Sequence, residues 1–239
     1  VSGMDIALWD ILGKATSQSV GVLLGGRYRT KIKPYASLLF GRPEKLEAII
    51  APAINAGFTG IKLGWGEFGR HSFELDEAMV KKAREILGHR SLMVDAGGSD
   101  LCWANGYKWA LNTADMLKEY GVTWFEEPLR PDDIEGYKKL REHSRVPISA
   151  CEVLTRRQSF LPWINERAVD YIQPDVTKVG GISEQHKIAW YAYDNGIECI
   201  PHGWNTAVGL AADLQLVSAI PTAHWVEYMI GNPYIDDLW

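Results

Sequence analysis

Seven polar residues stand at or just past the ends of short apolar runs: Lys62, Asp95, Glu126, Glu152, Asp175, His202 and Glu227, spaced 33, 31, 26, 23, 27 and 25 residues apart. Each interval has room for one strand, one helix and two loops. In a parallel α/β barrel the C-terminal ends of all strands open at one mouth, so residues scattered over 165 positions of sequence converge on a single site. No other feature constrains the fold as strongly, and it points to an enzyme built around a carboxylate-bound metal.

Between these ends the apolar pattern alternates. After an opening helix that includes Met4 to Leu12, strands are predicted at 32–39, 58–63, 92–94, 122–125, 147–149, 169–172, 197–200 and 224–226. Helices are predicted near 43–56, 74–87, 107–120, 132–143, 155–166, 181–195 and 205–219. Pro43 suits a first helical turn and Gly57 a C-terminal cap. The strands are apolar on both sides, as in a parallel sheet covered on both faces, and the βα alternation implies a right-handed wind. A doubly wound open sheet would carry a phosphate-binding GxGxxG after its first strand, and neither Gly64-Trp65-Gly66 nor Gly180-Gly181 completes one. A single barrel domain over 1–239 is the expectation, since 239 residues with 46% hydrophobic content can bury one large core.

A net charge of −5 leaves no basic surplus to neutralise phosphates, which argues against nucleic acid or anionic membrane as the main partner and for a small molecule. The three cysteines, Cys102, Cys151 and Cys199, are odd in number and irregularly spaced, which fits reduced thiols better than a disulfide framework. No apolar stretch reaches the roughly 18 residues of a membrane span. A cytoplasmic enzyme is expected. Because the chain enters a helical pattern directly from Val1, further sequence is expected to precede it.

Asp95, Glu126 and Glu152 fall on three consecutive strand ends. Three carboxylates brought together at low dielectric repel one another unless a cation neutralises them, and hard oxygen donors select Mg²⁺, with Mn²⁺ possible, over zinc. Any one acid alone would suit a helix cap; three at matching positions favour the metal. Glu127 beside Glu126 leaves the assignment open by one residue, and strand alternation lets only one of them face the site. Asp175 precedes His202 by one strand, and an aspartate there fixes the imidazole tautomer and raises its basicity. Lys62 either snorkels outward or neutralises a substrate carboxylate. Glu227 could share a proton with a substrate oxygen. Residues Gly97 to Gly106 make a long βα loop, expected to form a lid.

Together these segments resemble the enolase superfamily in its mandelate racemase-like branch, across essentially the whole chain. The matching stretches are Met4–Asp10 with Leu24-Gly25-Gly26, Val94-Asp95, Trp124 to Pro128, Glu152, Gln173-Pro174-Asp175 with Gly180-Gly181, Pro201-His202 and His224 to Glu227. The resemblance implies a TIM-like (β/α)7β barrel. It implies Mg²⁺ on Asp95, Glu126 and Glu152, an Asp175–His202 dyad, and Glu227 hydrogen-bonded to an enolate oxygen. It further implies an N-terminal capping domain and a C-terminal segment absent from this chain, and a homo-oligomer, dimer or octamer, for the full-length protein. Racemase-type members carry Lys-x-Lys at the end of the second strand, whereas this chain has Lys62-Leu63-Gly64. Racemisation needs a base on each face of the α-carbon, and Gly64 supplies none. Dehydration needs only one, so an acid-sugar (aldonate or aldarate) dehydratase is expected, with a racemase, epimerase or cycloisomerase as the alternative.

Overall fold

The alternating pattern becomes strand and helix in a computed structural model, which describes residues 1–236. The chain divides into two compact units, Tyr35–Ala150 and Val1–Pro34 with Cys151–Trp239.

In the first unit the strands are β1 (Lys33–Leu39), β2 (Gly60–Gly64), β3 (Ser91–Asp95), β4 (Phe125–Glu126) and β5 (Ile148–Ala150). All pair in parallel, in the order β5-β4-β3-β2-β1. Every residue of β2 is buried, as a strand covered on both faces requires. Between the strands run a short 3₁₀ turn at Pro43–Lys45 leading into α3 (Leu46–Asn55), then α4 (Phe73–Leu87), α5 (Tyr107–Glu119) and α6 (Ile134–His143). Helix α3 buries Leu46, Ile50 and Ala53 and ends, as expected, at Gly57 with φ +89°. The turn closes with Phe58 N–H donating to the Ala53 carbonyl (3.1 Å), the Schellman arrangement that a residue without Cβ permits.

In the second unit the opening helix α1 (Ser2–Thr16) and the short α2 (Val20–Leu23) precede α7 (Arg156–Asn165), β6 (Tyr171–Ile172), α8 (Ile182–Asp194), β7 (Glu198–Cys199), α9 (Ala207–Ala219), β8 (Trp225–Met229) and α10 (Pro233–Asp236). Strands β6 and β7 pair in parallel. Helix α1 packs Ile6 and Trp9 against Leu24, Val176 and Ile182, while its Met4, Leu8 and Ile11 lie exposed. No helix among the described residues is long and apolar enough to cross a membrane.

One buried acid in the first turn of α4 makes stability depend on pH. Asp76 is 1% exposed and accepts from the Gly69 N–H at 2.8 Å. Burial pushes its carboxyl up to about 6, against the pull of that N–H and of the nearby His71 and Arg70 charges. The folded chain therefore holds a proton that the unfolded chain releases near 3.8, and stability falls as pH rises from about 4 to about 6. Asp76→Asn is expected to flatten that slope, read from urea midpoints of the two proteins across the interval.

Candidate active site

Within Tyr35–Ala150, Asp95 closes β3 and Glu126 closes β4, and the two are direct partners in the ladder. Both are buried. Asp95 accepts from the Gly97 N–H at 2.8 Å. Glu126 takes the Lys62 ammonium at 2.5 Å on one oxygen and the Trp124 indole N–H at 3.0 Å on the other. Lys62 thus lies inward at 2% exposure rather than snorkelling, with its ammonium 5.6 Å from the centre of the Tyr35 ring. Of the two adjacent glutamates, Glu126 shares the Lys62 charge. Glu127, at φ 43°, turns to the loop after β3, where it accepts from the Ser99 N–H at 3.2 Å.

That loop, 97–106, expected as a lid, makes several contacts in this structure. Trp103 is 4% exposed and donates its indole N–H to the Pro128 carbonyl at 3.3 Å, and Asn105 donates to the Gly69 carbonyl at 2.7 Å. Arg70 pairs with Asp100 at 3.1 Å and lies over the Trp103 ring.

The end of β2 explains the departure from Lys-x-Lys. A Cβ on Gly64 would lie 2.8 Å from both Cβ and Oδ2 of Asp95. Any side chain here displaces Asp95, so the position lacks room for a lysine as well as lacking one.

Within the second unit, Asp175 and His202 follow β6 and β7 and form a parallel bridge of their own. The His202 Nδ1 lies 2.8 Å from Asp175 Oδ2, and its Nε2 lies 3.2 Å from Glu152 Oε2. The other Asp175 oxygen accepts from the backbone N–H and hydroxyl of Thr177, at 2.7 and 2.6 Å. Glu227, inside β8, accepts from the Gly203 N–H at 2.8 Å, beside His202. Burial opposes a charge on His202, but Glu152, Glu227 and Asp175 outweigh it and push the imidazole up to about 9. Burial alone would raise Asp175; the imidazole, Thr177 and Lys178 together hold it below its ordinary value.

Three groups in this unit escaped the sequence reading. The Lys178 ammonium reaches Asp175 at 3.5 Å and Glu152 at 3.8 Å. Behind the dyad, Gln185 on α8 donates to the Pro174 carbonyl at 3.0 Å and to Asp213 on α9 at 2.8 Å. Burial raises the Asp213 carboxyl well above its ordinary value. Lys178 had a signal, standing three residues after Asp175. Gln185 and Asp213 read as ordinary polar positions on helices.

As a donor set, the carboxylates of Asp95, Glu126 and Glu152 are all buried and all hard oxygen, chemistry that could hold a divalent cation.

Residues 45–239 match the family described as Enolase C-terminal domain-like. The D-galactarolactone cycloisomerase of Agrobacterium fabrum is 34% identical over 231 residues, 92% of this chain and 57% of that protein. The arabinonate dehydratase of Saccharolobus solfataricus is 34% identical over 232 residues, 95% of this chain and 60% of its own length. The chain thus spans somewhat over half the length of these curated relatives. Among solved structures, the 3,6-anhydro-D-galactonate cycloisomerase from Zobellia galactanivorans superposes with a TM-score of 0.90 at 32% identity, covering 99% of this chain and 65% of that one. A Bordetella bronchiseptica RB50 protein assigned as a mandelate racemase gives a TM-score of 0.90 at 35% identity, covering 99% and 64%. The fold class is therefore α/β, the enolase-type barrel that the spacing of strand ends anticipated. With most of its length matching the family and its fold shared with these structures, the chain belongs to the enolase superfamily, in its mandelate racemase-like branch.

Proposed function

We propose that this chain is the barrel domain of a metal-dependent acid-sugar dehydratase that removes the proton α to a carboxylate, with His202 as its base. The observation that carries this reading is a complete Asp175–His202 pair in a chain whose second-strand base position cannot accept a side chain. Further support comes from relatives named as dehydratases of arabinonate, D-galactonate, D-gluconate and L-rhamnonate.

Asp95, Glu126 and Glu152 would hold the cation, Mg²⁺ by donor chemistry. When bound, it holds the substrate carboxylate and acidifies the α-proton. The rest falls to the protein's own groups. Asp175 keeps the His202 Nδ1–H in place, so Nε2 is the atom that accepts the C2 proton. Glu152 now faces that nitrogen and holds the imidazole charged; once its charge is committed elsewhere, His202 loses a main cause of its raised pKa and becomes a base. The C2–H electrons pass into the carboxylate as an enolate, to which Glu227 would offer a hydrogen bond in its protonated form. As they return, the C3–O bond breaks, and the departing hydroxyl takes back the proton from His202 and leaves as water. One base thus serves both halves, and the resulting enol becomes a 2-keto-3-deoxy acid. Lys62, already charge-paired beside Asp95 and Glu126, would add positive charge near the substrate carboxylate.

The substrate on this reading is a small carboxylate, with no nucleic acid or membrane partner, in the cytoplasm. The test is the full-length protein with Mg²⁺ in D₂O against aldonic and aldaric acids, followed by proton NMR. New 3-deoxy-2-keto signals are expected. Deuterium at C2 with the β-hydroxyl retained would replace the dehydratase by an epimerase. Turnover of a sugar lactone instead would favour the cycloisomerase that two of the relatives exemplify.

Gly64→Ala bears on the same reading. Pressing on Asp95, the added methyl is expected to weaken Mg²⁺ binding by about 10- to 100-fold, the range for disturbing the support of a metal ligand. Titration calorimetry on the full-length protein measures it.

A further inference from the structure

Helices α8 and α9 carry a polar pair where an apolar one would pack. Gln185 on α8 is 0% exposed and Asp213 on α9 is 1% exposed. Nearby in the chain, Val176, Ile182 and Ala212 belong to one apolar cluster, so α8, α9 and the segment after β6 already pack together without them. An amide NH₂ has two hydrogens to give. Gln185 directs its own to the Pro174 carbonyl at 3.0 Å and to Asp213 Oδ1 at 2.8 Å. Its Oε1 and the Asp213 Oδ2 are buried with no hydrogen-bond partner among the described residues. Orphaned acceptors in the interior are costly, and replacing both members of such a pair by apolar groups of similar shape is near neutral or stabilising. A helix contact kept for stability alone has no need of them.

What the pair holds is the frame of the dyad. The Pro174 carbonyl shares a planar peptide unit with the Asp175 N–H, so a bond to that oxygen fixes the plane from which Asp175 hangs. The Asp213 bond reaches α9, the helix that follows His202 in the chain. Gln185 thereby ties the segment carrying Asp175 to the helix after His202, and these are the two residues whose side chains meet at 2.8 Å. Burial acts most on the Asp213 carboxyl, but the charges of Asp175, His202 and Glu227 act on it too, which places the pair within electrostatic reach of the dyad. We propose that Gln185 is a positioning residue of the Asp175–His202 dyad, with Asp213 as its anchor: its two N–H bonds hold the peptide ahead of Asp175 and helix α9 at the separation that the Nδ1–Oδ2 bond requires. Alignment of this kind matters because a displacement of about 1 Å costs on the order of 10²-fold in rate. The inference rests on His202 acting as the base proposed above and adds what keeps that base aligned.

Gln185→Met combined with Asp213→Val, in the full-length Mg²⁺-loaded protein, separates positioning from packing. The double variant removes both orphaned acceptors together with the bond between them, so its thermal midpoint is expected to stay within a few degrees of wild type. Its kcat on an aldonic acid is expected to fall by about 10- to 100-fold while KM stays within about threefold. A second readout needs no substrate. The Nδ1–H proton signal of His202, identified by its absence from His202→Asn, is expected to move upfield in the double variant as the bond to Asp175 loosens. Asp213→Asn keeps an acceptor for Gln185 and Asp213→Val does not, so the asparagine is expected to recover most of the kcat that the valine loses; this pair decides by the same readouts if the double variant does not fold. A kcat within about twofold of wild type, or an unmoved His202 signal, overturns the inference and leaves the dehydratase reading standing. If wild type turns over no acid sugar, that reading falls, and the His202 signal alone decides whether Gln185 sets the dyad.

Discussion

If His202 is the proposed base, His202→Asn in the full-length protein is expected to reduce α-proton removal by on the order of 10⁴-fold, the upper range for loss of a positioned general base. Asparagine keeps a donor within reach of Asp175, which also retains the Thr177 N–H and hydroxyl and the Lys178 ammonium. The Asp175 carboxylate is therefore not abandoned in the interior, and the folded state survives the change. What would disappear is the proposed acceptor for the C2 proton, and at Gly64 there is no side chain to take over. The measurement is the disappearance of the C2 proton signal of a turned-over acid sugar in D₂O, with the thermal midpoint of the variant as the folding control. Exchange persisting within tenfold of wild type would remove His202 from the base role. Asp175→Asn should fall between the two proteins, because it leaves the imidazole in place but no longer fixes which nitrogen carries the proton.

Much of this arrangement could be read from the sequence because a parallel barrel repeats. A strand end, a polar residue and a helix recur at nearly constant spacing, so periodicity located Asp95, Glu126, Asp175 and His202 before any contact was known. Boundaries moved where pairing outruns regular geometry. The fourth strand was expected at 122–125 and spans Phe125–Glu126, although Thr123 and Trp124 already bond to the neighbouring strand. Pairing between distant positions was not legible. Lys62 meets Glu126 across 64 residues, and Gln185 meets Asp213 across 28 from one helix to another. Sequence shows residue types, but burial decides which charges must find one another. The contacts of the loop after β3 were hidden for the same reason: its length suggested a lid, and nothing in the sequence told that Trp103 bonds Pro128 and Asn105 bonds Gly69.

Lys62→Met lowers the unfolding free energy of the metal-free protein by about 3–5 kcal/mol, the usual cost of removing one partner from a buried ion pair. Lys62 and Glu126 have side chains 2% and 1% exposed, and their charged atoms lie 2.5 Å apart. Methionine fills much of the volume of the lysine stem, so the loss comes from the Glu126 charge, which keeps the Trp124 indole but not its ammonium. Two comparisons separate electrostatics from packing. In Lys62→Met with Glu126→Gln no such charge is left buried, and most of the lost stability should return, since replacing both partners of a buried pair is often near neutral. If Glu126 ligates a cation, Mg²⁺ should stabilise Lys62→Met more than wild type, because the cation supplies the neutralisation that the lysine no longer gives. Urea unfolding of the three proteins with EDTA and with millimolar Mg²⁺ reads both effects. A double variant as unstable as the single one would assign the loss to packing, and an equal response to Mg²⁺ in Lys62→Met and wild type would remove Glu126 from the ligand set.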